Sequence, residues 1–426
     1  MPHLTIGLLG CGNVGGALVD LIDARRDTIA QRTGVELRIG AIAVRDIAKY
    51  QDRLADPSLL TTDTAAVVAD PEIDLVVELI GGTDPALTLV RTALANGKPV
   101  VTGNKELLAA HGSDLYAVAA EHGVDLLFEA AVAGGIPLIR PLRESLVGED
   151  VSRVMGIING TTNYILTKMS QEGADYGDAL ADAQALGYAE ADPTADVEGY
   201  DAGAKAAIIA SIVFGVDVRS SDVQHEGISK VTASDIETAK RLGYVIKALA
   251  VIERIDGEVA VRVHPAMVPT SHPLANVNDS FNAVFVEGAA VGDLMFYGRG
   301  AGGDPTASAV MGDVIDAAVN LSNKTAARLA ITEPATLRDL DSLSSQYYLT
   351  MLVSDEPGVL AQVATVLGTH GVSIQTMEQW GSGADAELCL ILHETTEAAL
   401  KATLADLGGL DVVTGIGSVI RLISAG

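Results

Sequence analysis

The residues able to do chemistry in this 426-residue chain fall in a few short stretches. Asp201 and Lys205 stand four apart at the head of DAGAK, which runs on as AAIIASIVF. At helical spacing the two share a face. An amine at the mouth of an apolar helix is partly stripped of water, and a neighbouring carboxylate restores its charge. Such a pair can donate and accept a proton. An ordinary i,i+4 ion pair on a surface helix has the same spacing. Three further stretches are denser in polar groups than packing requires: TGNKE at 102–106, NGTTNY at 159–164 and GYAEADP at 187–193.

A different chemistry sits near the start. Gly10-Cys11-Gly12-Asn13-Val14-Gly15 follows the apolar run LTIGLL and precedes a helical pattern. The first glycine permits a tight turn, the second lets the backbone approach a pyrophosphate, and the third lets helix and strand pack closely. The helix N-terminus then faces the phosphates. The segment therefore predicts dinucleotide binding, with Cys11 as a small space-filler. The second strand ends Ala43-Val44-Arg45-Asp46. Arg45 suits a 2′-phosphate and hence NADP; Asp46 keeps NAD open.

These groups need elements to hold them. Strands are expected at 4–9, 35–44, 75–80, 99–102 and 124–129, alternating with helices, which implies an α/β, Rossmann-type, doubly wound parallel sheet. Its ligand belongs at the carboxyl ends of the strands. From about 136 to 299 the pattern is α+β, with strands at 151–158, 244–254, 259–264 and 282–286 and helices at 161–170, 178–186, 201–214 and 234–241. This reads as a substrate domain whose mixed sheet also dimerises. The turn GRGAGGDPT (298–306) leads into a helix at 307–321 that completes the first domain, 1–135, over about 300–325. A polar linker spans 330–346. Residues 347–426 read βαββαβ, a ferredoxin-like unit.

Composition excludes several classes of function. Lys plus Arg is 28 against 56 Asp plus Glu, a net charge of −28. That argues against a nucleic-acid partner and against an anionic membrane surface. Two cysteines cannot make a disulfide framework or a multi-cysteine zinc site. No apolar run approaches the ~18 residues of a membrane span, and no cleavable leader is evident, so a soluble cytoplasmic protein is expected. His264 and His272, each next to a proline, read as loop or turn residues. Asp192 and Asp196 read as helix capping and loop polarity rather than a divalent site, and Met377 and Trp380 as a half-buried strand.

The set GLLGCGNVG, TGNKE, FEAAVAGGIP, MGIINGTTNYIL, GYAEADPTADVEGYDAGAKAAI and GRGAGGDPTASAV resembles homoserine dehydrogenase over residues 1 to about 325. Residues 347–426, with DEPGVL and HGVSIQ, resemble an ACT domain. With no room for an aspartate-kinase domain, the resemblance is to the monofunctional form. It implies NAD(P)H-dependent reduction of L-aspartate 4-semialdehyde to L-homoserine, a step of threonine, methionine and isoleucine biosynthesis. Lys205 matches the family's proton donor and acceptor. Lys105 matches a lysine beside nicotinamide and substrate, Asp201 a substrate-site acid, and Glu190 a carboxylate for the substrate amino group. Glu129, Val132, Gly134 and Ile136 match a monovalent-cation site (Na+ or K+) made largely of backbone carbonyls with a single side chain. Gly302 and Gly303 match a loop closing over the cofactor, opposite Gly10, Gly12, Asn13, Val14 and Gly15. An amino-acid effector such as L-threonine is expected at the 355–360 turn, and a homodimer or homotetramer as the assembly. Two rivals stand beside this reading. A non-catalytic NAD(P) sensor would not need the Lys–Asp–Glu set, and an acyl-forming semialdehyde dehydrogenase would need a well-placed cysteine.

Overall fold

The computed structural model describes residues 2–327, 331, 333–381 and 386–424. The first 127 residues form a six-stranded parallel sheet in the spatial order Leu60–Thr61, Glu36–Ala43, His3–Leu9, Leu75–Glu78, Val100–Thr102, Leu126–Leu127. The chain order reverses between His3–Leu9 and Leu75–Glu78, the place where such sheets open a crevice. Alternate residues of each strand feed two cores. Ile6, Leu8 and Val77 pack with Leu18 and Ile22 of helix Asn13–Thr33 and with Val310 and Val314 of helix Gly303–Asn323. Leu9, Val76 and Val100 face helices Ala86–Ala95 and Lys105–His122. Helix Gly303–Asn323 thus returns to the first sheet. The strand expected at 124–129 contracts to Leu126–Leu127, because Glu129 already opens a 3-10 turn. The short strand Leu60–Thr61 had no pattern to announce it.

In the middle of the chain, strands Gly292–Arg299, Phe281–Gly288, Val151–Ile157, Tyr244–Ile255 and Glu258–Pro269 lie antiparallel in that order. Asp256 and Gly257, with φ of 54° and 86°, supply the left-handed turn a two-residue hairpin demands. Helix Tyr200–Phe214 lies against one face. Its Ala206, Ala207, Ile209 and Ala210 share a core with Ile252, Val261, Val263 and Val284. That burial is why AAIIASIVF is apolar on nearly every side.

Several expectations need correction. Strand Glu258–Pro269 runs to twelve residues, so His264 is a buried strand residue and not part of a loop. The extra length pairs in parallel with the C-terminal strand Val413–Leu422, through Ala266 with Arg421 and Met267 with Leu422. One sheet therefore continues through Val413–Leu422, Ser344–Val353, Ala386–Thr396 and Ile374–Trp380. Together with helices Val359–Thr369 and Glu397–Gly408 these make the expected βαββαβ order. The C-terminal unit is also not packed as a separate bead: Tyr348, Ile391, Ile420 and Leu422 share a core with Tyr164, Ile165, Ile246 and Met267. The stretch read as a linker is strapped down. Glu333–Pro334 pairs with Val216–Asp217, the Arg338 amide donates to the Val259 carbonyl at 2.9 Å, and Ser344 already begins a strand. Positions 330 and 332 of it lie outside the described residues. Met377 and Trp380, 40% and 46% exposed, are about half-buried, and the Arg241 guanidinium stacks on the Trp380 ring. Cys11 and Cys389 are buried and unbridged. Among the described residues no helix is long and apolar enough to cross a membrane.

Candidate active site

The glycine turn is built as its sequence requires. Gly10 has φ 97°, and a Cβ there would stand 2.7 Å from the Leu79 carbonyl oxygen. A Cβ on Gly15 would stand 2.2 Å from the Gly10 carbonyl oxygen, so helix and turn touch backbone to backbone. Gly12, the N-cap of Asn13–Thr33, has nothing within 4 Å of its Cβ position, which leaves room for a phosphate. The second glycine loop arrives beside it. Gly302, with φ 131°, caps helix Gly303–Asn323, and a Cβ on Gly303 would stand 3.3 Å from the Asn13 carbonyl oxygen. Two long helices thus begin at one mouth, and both N-termini favour an anion there.

The neighbouring loops are fixed by Glu78, a fully buried carboxylate at a strand end that the sequence did not mark. It accepts from the Ile80 amide (2.8 Å), the Gly81 amide (3.2 Å) and the Thr102 hydroxyl (2.6 Å). Asn104 caps helix Lys105–His122 through the Leu107 amide and donates to the Gly82 carbonyl at 2.7 Å. Lys105 is therefore carried on the first turn of a helix whose start is locked to two loops.

Across the cleft, helix Tyr200–Phe214 begins at Gly199, whose φ of 85° permits the entry turn. Asp201, buried, is gripped from two sides. The Lys205 ammonium donates to its Oδ2 at 2.7 Å, and the Lys105 ammonium makes a short ion pair with its Oδ1. Lys205 also donates to the Ile158 carbonyl at 2.8 Å. Asn159, whose own Oδ1 caps helix Gly160–Glu172, donates through Nδ2 to Asp201 at 2.9 Å and to Asp196 at 2.7 Å. Burial by itself would raise the Asp201 pKa; the two ammoniums outweigh it and hold the carboxylate well below its usual range. Burial likewise works against the Lys105 charge, but Asp201, Asp196 and Glu106 bring its pKa above that of an ordinary lysine. Asp196 is raised, chiefly by burial. Lys105 and Lys205 line one cleft of about 260 Å³ with Gly81, Gly103, Gly134 and Gly300. The i,i+4 pair is thus no surface ion pair.

Segment 129–140 forms the floor. The Glu129 carboxylate accepts from the amides of Ile139 (2.6 Å), Arg140 (2.9 Å) and Leu138. The carboxylate expected to serve as a side-chain ligand thus faces a row of backbone amides here. The carbonyls of Val132, Gly134 and Ile136, all buried, accept no backbone hydrogen bond outside helices among the described residues. Asp313, from the closing helix, accepts the Glu129 amide at 2.7 Å and Arg140 Nη2 at 3.1 Å.

The remaining sequence-marked residues are more dispersed. Arg45 is exposed at the end of strand Glu36–Ala43, and Asp46 spends a carboxylate oxygen on the Ala48 amide at 3.0 Å. Glu190 is exposed; its carbonyl accepts from Gln184, and its carboxylate has no partner among the described residues. Asp192 caps locally, accepting the Thr194 amide at 3.1 Å, whereas Asp196 joins the buried cluster. Arg53 was not foreseen: a Cβ on Gly16 would meet its guanidinium at 2.3 Å, so a second arginine flanks the dinucleotide turn. No short-range spacing connects residue 53 to residue 16.

A parallel sheet with a glycine turn at its switch point, a second glycine loop closing on it, and an ammonium–carboxylate–ammonium cluster at the same mouth define a nicotinamide-dinucleotide oxidoreductase. Comparison with known proteins narrows the class. Residues 137–315 match the homoserine dehydrogenase family model, 10–129 the homoserine dehydrogenase NAD-binding domain, and 347–411 the ACT domain. The chain is 48% identical to homoserine dehydrogenase of Corynebacterium glutamicum over 98% of this chain and 95% of that one. A crystal structure of a homoserine dehydrogenase from Thiobacillus denitrificans matches with a TM-score of 0.95 at 41% identity, covering 100% of this chain and 99% of the other. A hyperthermophilic archaeal homoserine dehydrogenase in complex with NADPH matches over 76% of this chain and all of its own, with a TM-score of 0.65 at 27% identity. The chain belongs to the homoserine dehydrogenase family, the NAD(P)-dependent oxidoreductases that act on a CH–OH group.

Proposed function

We propose that this chain interconverts L-aspartate 4-semialdehyde and L-homoserine, running toward homoserine in threonine, methionine and isoleucine biosynthesis. The observation that carries the reading is Asp201 held between the ammoniums of Lys205 and Lys105, which line a cleft together with Gly300 and Ala301 of the late glycine loop. The bound cofactor, NADPH or NADH, supplies hydride to the aldehyde carbon. Gly10, Gly12, Asn13, Val14, Gly15, Gly302 and Gly303 would hold its pyrophosphate, and Arg45, exposed, would meet a 2′-phosphate. As the carbonyl oxygen becomes an alkoxide, Lys205 gives it a proton and Lys105 adds positive charge where negative charge grows. Asp201 orients both amines and takes part in returning the proton. Glu190 holds the substrate ammonium, its open carboxylate fitting that task. In the reverse direction Lys205 acts as the base.

The carbonyls of buried Val132, Gly134 and Ile136, which accept no backbone hydrogen bond outside helices among the described residues, together with the Glu129 carbonyl, which takes only a long bond from the Val132 amide, suit Na+ or K+, which prefer oxygen ligands. The C-terminal unit is read as an amino-acid sensor that binds L-threonine at the 355–360 turn and feeds back on turnover. The strand Gly292–Arg299 leaves a sheet edge open with Met295 and Tyr297 38% and 53% exposed, which favours a homodimer or homotetramer. The test is loss of NADPH absorbance with aspartate 4-semialdehyde in the full-length chain, repeated with NADH, without Na+ and K+, and with threonine. Absence of semialdehyde-dependent oxidation would refute the reading.

A further inference from the structure

A cavity of about 520 Å³ lies apart from the cleft described above. It opens where strand Glu258–Pro269, the strapped segment before Ser344 and the C-terminal strand Val413–Leu422 come together. In a chain of net charge −28, its wall carries Arg153, Arg262, Arg338 and Arg421 against only Glu253 and Glu394.

Two of these arginines are fully answered. Arg153 is bidentate to Glu287 at 2.9 and 2.6 Å, and Arg421 pairs with Glu397 and, at 2.9 Å, with Glu226. The other two are not. Arg262, 5% exposed, gives one Nη2 to Glu253 at 2.7 Å and leaves Nε and Nη1 buried without partners among the described residues. Arg338 reaches the Ile255 carbonyl, Asp256 and Glu258 through Nη1 alone, at 3.3 Å each, and its Nε is buried without a partner among the described residues. A buried guanidinium with idle N–H groups is an arrangement that folded proteins avoid unless something arrives to accept those bonds.

His264, 2% exposed, adds a group of opposite character. Burial, then the charges of Arg421 and Arg262, push its pKa well down, so the ring is neutral. Its Nδ1 lies 3.0 Å from the Pro265 carbonyl, which obliges that nitrogen to carry the proton and leaves Nε2 as a bare acceptor, also without a partner. The wall therefore asks for a ligand with several acceptor oxygens, negative charge and one hydrogen to give.

We infer that this cavity binds a small oxyanion bearing a hydrogen-bond donor, of the hydrogen-phosphate or α-hydroxycarboxylate kind, held by Arg262 and Arg338 and read by His264. The site is separate from the catalytic cleft and from the 355–360 turn. Its location has a mechanical consequence: the strand that carries Arg262 and His264 also carries Val263, whose Cγ1 lies 2.9 Å from the Cβ position of Gly199 at the head of the catalytic helix. An anion drawing on this strand acts on the element that positions Asp201 and Lys205.

The test uses the full-length protein in zwitterionic buffer at constant ionic strength, titrated calorimetrically with inorganic phosphate, L-lactate and acetate. Saturable binding of phosphate or lactate is expected at about pH 7, the tighter of the two identifying the source, with acetate, ionised there and without a donor, about tenfold weaker. Arg338→Gln should weaken binding about tenfold, while the remote Arg26→Gln leaves it unchanged. Arg262→Lys, which keeps a cation for Glu253 but deletes the idle donors, gives the same answer if Arg338→Gln alters the melting temperature. No saturable binding below ~10 mM, acetate binding as tightly as lactate, or binding indifferent to both arginine variants would overturn the assignment.

Discussion

Lys205 Nζ stands 2.7 Å from Asp201 Oδ2, one helical turn away on the same buried face. The pair spans the first two turns of Tyr200–Phe214, and the opposite carboxylate oxygen belongs to Lys105 from another domain's helix. An acid so placed fixes two amines at once and leaves each with hydrogens for a third partner.

Removing the donor should therefore cost turnover without costing the fold. Lys205→Ala is expected to lower kcat about 10²–10⁴-fold with cofactor binding retained. Steady-state rates beside NADPH fluorescence titration decide it, and a variant as active as the parent refutes the catalytic assignment. Asp201→Asn should lower kcat too, and destabilise the protein, because two partly buried ammoniums lose their shared anion.

Glycines of the dinucleotide turn should separate into two kinds. Gly12→Ala meets no atom, so melting temperature should hold while KM for the cofactor rises about tenfold as the methyl occupies phosphate space. Gly15→Ala puts a Cβ 2.2 Å from a backbone oxygen and should destabilise the fold outright. Thermal melts and cofactor KM measured on both variants distinguish them.

Arg45 is the test of cofactor preference. With Asp46 turned to its own Ala48 amide, Arg45→Ala should lower kcat/KM for NADPH about 10–100-fold and leave NADH nearly untouched. Equal loss with both cofactors would show that Arg45 reads no 2′-phosphate.

Cutting the chain at Gln346 should not yield a well-behaved catalytic core. The cut strips Tyr348, Ile391, Ile420 and Leu422 from a core shared with Ile246 and Met267, and leaves the end of strand Glu258–Pro269 unpaired. A large fall in melting temperature or aggregation is expected in light scattering. A truncated chain as stable as the parent would contradict the shared core, and threonine response is therefore best read on the full chain.

Lys247 predicts a pH signature. It is 1% exposed and donates to the Val277 carbonyl at 2.5 Å and to Asn163 at 3.3 Å. Burial lowers its pKa to about 8, the Asp279 charge opposing only in part. Since the unfolded chain holds that proton to a higher pH, unfolding free energy should rise from pH 8 upward, by about 2 kcal/mol to pH 9.5. Urea melts of wild type and Lys247→Met across that interval should differ by this slope; parallel profiles would reject it.

What sequence alone determined is what short spacing encodes. Glycines at 10, 12 and 15 after an apolar strand leave the backbone few alternatives, because only a residue without Cβ tolerates the contacts that Gly10 and Gly15 make. Asp201 and Lys205 share a face because a helix has 3.6 residues per turn. The βαββαβ order of the C-terminal unit was legible from its periodicities in the same way. Tertiary structure alone decided that Lys105 crosses 96 residues to reach Asp201, that Asp196 and Asn159 join them, and that the Glu129 carboxylate is taken up by backbone amides. It also decided that strand Glu258–Pro269 runs on to pair with Val413–Leu422 and fuse two sheets. Those relations rest on strand register and on which loops meet at a sheet's edge, quantities set by the packing of distant cores and written in no local pattern.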